Sequence, residues 1–331
     1  MVRTSKSALA CALTLTLGTL SAATAQETQP HVSLSRDLVA AASAFETYTR
    51  TAAAIDAGFA SPQDIASALH VAASHDPGQL EAGMIAYAAM AALQDPRFVA
   101  ATQRAMEDPR SRELLARRLM DNPEAAIELP GAGAAAVRAR AALLRQVGPL
   151  LADGIRVKQA AYDIQHRDWS KAMVQDAPAR LALVKQLASH AFEPNDADAT
   201  RLFQAVSQVA EAPPAAPPGP VILRGLAVAA LALAGDTGEE SGEALKPLLT
   251  ETRSASCVRM ATLNLFQCMA VAGPHYEDVF CVSQHAMLEP GQCIASAAGA
   301  QTLLAPEQSA QQTARATGVA FPIARTSTAD H

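Results

Sequence analysis

Five times before residue 124, a side chain that can cap a helix stands directly before a proline: Ser61-Pro62, Asp76-Pro77, Asp95-Pro96, Asp108-Pro109 and Asn122-Pro123. Proline lacks an N–H and holds a helix-compatible φ, so it fits the first helical position. Ser, Asp and Asn accept from the unpaired N–H groups just beyond it. Each pair therefore predicts a helix start. The starts fall 15, 19, 13 and 14 residues apart, which suits short packed helices and not a regular solenoid repeat of about 34 residues.

Between the starts lie segments such as "QLEAGMIAYAAMAALQ", with apolar residues spaced for a helix face. Further helices are expected over 33–57, 133–147, 153–174, 179–190 and 196–211, and no run of alternating strands occurs. The predicted fold is all-α: an irregular Ala/Leu-rich helical bundle over 26–211, then a C-terminal helical module over 221–305. Between them "APPAAPPGP", residues 212–220, reads as an extended Pro-rich linker and domain boundary. After it "VILRGLAVAALALAG" is apolar but short of the roughly 20 residues that span a bilayer, so a buried core helix is expected. The polar stretch 306–331 reads as a disordered tail.

The chain opens with Arg3 and Lys6, an apolar run over 8–20 and the small-x-small site Ala23-Thr24-Ala25, the pattern of a cleaved signal peptide over 1–25. The expectation is export to the periplasm or beyond, with no stable membrane span after cleavage. Removing Arg3 and Lys6 makes a formal net charge of −6 more negative by two, a balance that disfavours nucleic acid as a partner. Cleavage also removes Cys11 and leaves Cys257, Cys268, Cys281 and Cys293, an even set that reads as two disulfides in an oxidising compartment.

Familiar catalytic and metal signatures, G-x-S-x-G, H-E-x-x-H, C-x-x-C and the EF-hand loop, do not occur. "PGAGAAA" at 130–136 has the glycines of a phosphate turn but no strand before it and no Lys-Ser/Thr after it. No metal or cofactor is expected. In "AAYDIQHRDWSKAMV", a continuing helix would pair Asp163 with Arg167 and place Tyr162 and His166 on one face. Asp163, His166, Trp169 and Lys171 are candidates there for a recognition surface or a small-ligand or metal carrier site. The favoured reading buries Ile155, Tyr162 and Trp169 as a stripe and leaves the charges in solvent.

Helices over 254–272 and from His275 onward, joined at Gly273-Pro274, place the cysteines geometrically. Cys257 and Cys268 lie about 16 Å apart along one helix, whereas bridged cysteines need Cα atoms within roughly 7 Å. In an antiparallel hairpin, facing residues have a nearly constant sum of positions. Cys268 with Cys281 gives 549 and Cys257 with Cys293 gives 550, while the crossed pairing gives 538 and 561. The nested pairing, Cys257–Cys293 and Cys268–Cys281, is therefore predicted. Pro290-Gly291 is expected to end the second helix before Cys293.

In geometry alone, this segment resembles the twin-cysteine hairpins of the coiled-coil-helix-coiled-coil-helix family. The separations here, ten and eleven intervening residues, are wider than that family's, and the resemblance implies no function. The same register sets His285 opposite Asn264 and Glu277 opposite Ala272. His275, Glu277, Asp278 and His285 are the candidates for acid–base chemistry, and Asn264 for binding; the competing reading makes them register-holding contacts. The leading expectation is a non-catalytic exported interaction or envelope-structural protein with an envelope protein as partner. The alternative is an envelope hydrolase or metal-dependent enzyme using the four candidates.

Overall fold

The computed structural model describes residues 34–208, 217–235 and 242–300, and among these the chain is helical with no strand. The expected signal peptide, the expected disordered tail and most of the Pro-rich stretch lie outside the described residues. In order, the main elements are α1 (Arg36–Ala52), α2 (Pro62–Ala73), α3 (Pro77–Ala92), α4 (Pro96–Ala105), α5 (Pro109–Asp121), a 3-10 turn (Pro123–Glu128) and α6 (Ala132–Ile164). There follow α7 (Asp168–Lys171), α8 (Ala177–Leu187), α9 (Asp196–Ser207), α10 (Pro220–Ala234), α11 (Gly242–Leu245) and α12 (Thr252–Val271). The last arm is α13 (His275–Ser283), a π-helical turn (Gln284–Leu288) and α14 (Glu289–Ala297).

All five capping pairs act as caps. Ser61 and Asp64 form a reciprocal capping box, Asp76 accepts from the Gln79 N–H, Asp95 from Phe98 and Asp108 from Ser111. Asn122 accepts from Glu124 and opens the 3-10 turn instead of an α-helix. The centre of the core is α3, nearly all of whose residues from Leu80 on are buried, packed against α1, α6, α10 and α12. Small residues set the close approaches. A Cβ at Gly83 would fall on the Ala41 carbonyl oxygen of α1, and one at Gly225 of α10 would meet the Ala88 Cβ at 2.8 Å.

Three expectations need correction. First, the Pro-rich stretch does not separate two cores: α10 and α12 pack on α3, and residues on both sides belong to one hydrophobic cluster. The apolar surface of α10 is buried on nearly every side, so it requires neighbours from the first half of the chain. Second, 133–147 and 153–174 are not two helices; α6 runs through Pro149 and stops at Ile164. A mid-helix proline costs about 3 kcal/mol, whereas each fully buried Val or Leu contributes roughly 1.5–3 kcal/mol, and Leu143, Val147 and Leu150 around it are all fully buried. Third, the buried stripe of α6 is not the one expected. Ile155 is 48% and Tyr162 47% exposed, while Gly154, Val157, Ala161 and Ile164 face the core.

Candidate functional site

Ala272, Gly273 and Pro274 turn α12 back into α13, and the two arms lie antiparallel and packed together. Cys268 is bonded to Cys281 and Cys257 to Cys293, each with Cα atoms 5.7 Å apart. The hairpin and its nested pairing are as predicted, but Pro290 does not end the second arm. Helical structure is continuous from His275 to Ala297 because a π turn is inserted just before the proline. Pro290 has no N–H for the Ala286 carbonyl four residues back. That oxygen is served from α1, where the Tyr48 hydroxyl donates to it at 2.9 Å.

The tip is held by residues 172–180. The Val174 N–H donates to the Gly273 carbonyl (2.9 Å) and the His275 N–H to that of Ala172 (3.2 Å). From α8, Arg180 donates to Asp278 Oδ1 at 2.7 Å and to the Met269 and Ala272 carbonyls at 2.6 and 2.9 Å. The guanidinium thus neutralises the partial negative charge where α12 ends and also pairs with the first turn of α13. Arg180 and Asp278 are only 8% and 4% exposed at the side chain. Burial pushes the Asp278 carboxyl up to about 6 despite the pull of Arg180. A carboxyl raised that far is what a general acid needs, but this one is sealed from solvent and held by a guanidinium, the surroundings of a structural ion pair.

The other expected residues divide into two groups. Glu277 Oε2 accepts from the Gly273 N–H at 2.8 Å and closes its own turn. The His275 imidazole is kept below the usual histidine range by partial burial and by the Arg180 charge. Farther along the arm, His285 does not meet Asn264 directly; both reach Glu289. His285 Nδ1 lies 2.9 Å from Glu289 Oε1, Asn264 Nδ2 donates to Oε2 at 3.0 Å, and Gln284 reaches Oε1 at 3.5 Å. Burial alone would raise the Glu289 carboxyl, but the hydrogen bonds from His285 and Asn264 and the His285 charge bring it below the usual carboxylate range. Glu289 and Arg180 were missed in the sequence. The four-residue spacing of His285 and Glu289 was a usable helical signal for the first.

A carboxylate-held histidine supplies the base and orienting group of an acid–base device. Ser283, the nearest hydroxyl along the chain, is fully buried and donates to the Phe280 carbonyl. The open space nearby is a cleft of about 410 Å³ beside the inner disulfide, lined by Tyr162 and Phe280 and reached by Tyr276 and Glu277 but not His285. The other candidate surface is also dispersed. Arg167 lies beyond the end of α6, Asp163 accepts from Gln159, Lys171 pairs with Asp168, His166 is exposed and Trp169 packs against the core. Among the described residues, no group of three His, Cys, Asp or Glu side chains is placed to hold a metal ion. No family model, curated protein or solved structure matches the chain.

Proposed function

We propose that this chain is an exported helical protein, periplasmic or secreted, that works without catalysis as an interaction or structural element of the cell envelope. One observation carries the reading: four of the five candidate polar side chains of the stapled hairpin are engaged within the fold. Asp278 is bound by Arg180, Glu277 by its own turn, and His285 and Asn264 by Glu289. Two disulfides in one hairpin support an oxidising compartment and hence export. Apolar side chains left in solvent at the hairpin tip, Val271 at 82% and Met173 at 64% exposed, support contact with another molecule.

The test is covalent crosslinking of the full chain in intact cells, followed by mass spectrometry of its N-terminus and its adducts. The reading requires a chain beginning near Gln26, one reproducible envelope-protein adduct, and no change in that adduct on Glu289→Gln. A chain retaining residues 1–25 in the cytosol overturns the address. Turnover of an envelope polymer that is lost on Glu289→Gln or His285→Ala overturns the absence of catalysis in favour of the hydrolase alternative.

A further inference from the structure

Three aromatic rings border the cleft of about 410 Å³ beside the inner disulfide: Tyr162 near the end of α6, and Tyr276 and Phe280 on α13. Tyr276 and Phe280 are four residues apart and so share a face of their helix. Tyr162 meets Phe280 edge-on, with centroids 6.5 Å apart and planes at 69°. None of the three is fully buried, and Tyr162 is 47% exposed, so a solute in the cleft reaches them. The volume lies within the range of small-molecule sites. Aromatic residues make up only 4% of the chain, and burying such large rings is the strongest apolar gain open to an alanine-rich core. Three of them left around one accessible space point to a ligand that covers them.

The charges restrict that ligand. Among the lining residues Glu277 is the one charged side chain, and neither Lys, Arg nor His joins it. Its Oε2 accepts from the Gly273 N–H, which leaves the carboxylate negative. The ends of α6 and α13 at the cleft carry opposite partial charges that offset each other, while the end of α12 is met by Arg180. His275 stays below the usual histidine range and is neutral near pH 7. Lys158 stands outside the lining with its Nζ 5.7 Å from the Phe280 centroid, a cation already resting on one of the rings. An anion would meet a carboxylate and electron-rich rings, whereas a cation is drawn by both. A primary ammonium brings three N–H donors that need acceptors, and the lining carboxylate is partly engaged. A fully alkylated ammonium brings none, and its methyl groups suit the rings and Val271.

We propose that the cleft between Tyr162, Tyr276 and Phe280 binds a small soluble quaternary ammonium cation, with Glu277 as its counter-charge. The proposal depends neither on the address of the chain nor on a protein partner. The chain has four tyrosines, and Tyr48 and Tyr87 are buried away from this cleft. In the full chain with isotope-labelled tyrosine rings, NMR therefore reads the site at Tyr162 and Tyr276 and carries two internal controls. The probes are choline and its neutral isostere, in which carbon replaces the nitrogen. Expected are saturable shifts of Tyr162 and Tyr276 with choline at roughly millimolar concentration, and binding of the isostere weaker by about fivefold. Tyr162→Leu, at a half-exposed position, should weaken choline by about two- to fivefold with the helical circular dichroism retained. Glu277→Gln, whose amide oxygen still accepts from Gly273, should weaken it about threefold, and Lys158→Met, which removes an opposing charge, should tighten it. Equal affinity for the isostere overturns the proposal, as does choline binding unmoved by Tyr162→Leu and Glu277→Gln. Shifts as large at Tyr48 and Tyr87 also overturn it, and so does a response to phosphatidylcholine vesicles without one to choline, which would make the site a lipid contact.

Discussion

Replacing Cys257 and Cys293 together by Ala should destabilise the protein more than replacing Cys268 and Cys281, although both bonds join the same two arms. The bonds close loops of 36 and 13 residues. Taken singly, loop closure predicts about 3.8 kcal/mol for the outer and about 2.9 kcal/mol for the inner bond. The loops are nested, however. With the inner bond intact, the outer one constrains only the two arms between the bonds, the difference between those separations, and contributes about 3.4 kcal/mol. With the outer bond intact, the inner one adds about 2.5 kcal/mol. Cys281 and Cys293 are both buried, so the small cavity left by alanine is similar in the two variants and leaves the order unchanged.

The assay is urea unfolding without reductant, with midpoint and slope measured for wild type and both double variants. For a domain of this size the predicted losses correspond to melting shifts of about 7–14 °C for the outer and 5–10 °C for the inner pair. An inner-pair variant destabilised as much as the outer-pair variant would refute the nested-loop reasoning. A Cys257–Cys281 peptide in a non-reducing digest would refute the register itself.

Arg180→Ala strands a buried carboxylate and should cost about 3–5 kcal/mol at pH 7; because Asp278 can then take up a proton, the loss should shrink toward pH 5, and a pH-independent loss counts against the ion pair. Tyr48→Phe leaves the Ala286 carbonyl without its donor and should cost about 1–3 kcal/mol in the same urea assay, whereas a change under 0.5 kcal/mol, typical of surface sites, would show that the contact is dispensable. His75 is depressed from 6.5 to about 4, so its contribution is complete above pH 6.5 and is lost as pH falls toward 4, about 3 kcal/mol in all. Asp278 is raised from 3.8 to about 6, so its term is complete below pH 3.8 and is lost as pH rises toward 6. Unfolding at pH 4 and 6.5 of wild type and His75→Phe isolates the histidine term, and an unchanged difference between the two pH values removes it.

What the sequence disclosed was local chemistry. A capping side chain followed by proline acts within one turn, and all five such pairs cap as expected. What it concealed was which face of a helix finds a partner. The spacing of Ile155, Tyr162 and Trp169 marks a stripe along one continuous helix, yet α6 ends before Trp169, and Ile155 and Tyr162 face solvent because Gly154 and Ala161 line the packed side. A Cβ at Gly154 would come within 2.8 Å of Leu288 Cδ2. In an alanine-rich chain, the side that lets another helix come close is lined by the smallest residues, and size then misleads as a guide to burial. The Arg180–Asp278 pair was hidden for a different reason: its members are 98 residues apart, and no local period connects them.

Pro290 shows how a correct pairing can rest on a wrong account of the helix. Read as a helix stop, it weakens the case for the outer bond, since Cys293 would leave the arm. In the structure the arm continues, but between the cysteines it carries one residue more than its partner, twelve steps from Cys281 to Cys293 against eleven from Cys257 to Cys268. Both bonds nevertheless have Cα separations of 5.7 Å, so twelve residues span the length of eleven. A π turn accommodates an extra residue within a helix, and it lies between the two cysteines at Gln284–Leu288. The one-residue difference between the sums 549 and 550 is the trace of that insertion. The proline removes the N–H that would have held Ala286 in an ordinary α turn, and Tyr48, 238 residues earlier, replaces it. The residue expected to break the second arm thus stands beside the turn that brings Cys293 into line with Cys257, and on that same arm Glu289 accepts from Asn264 across the hairpin while lying within hydrogen-bond distance of His285.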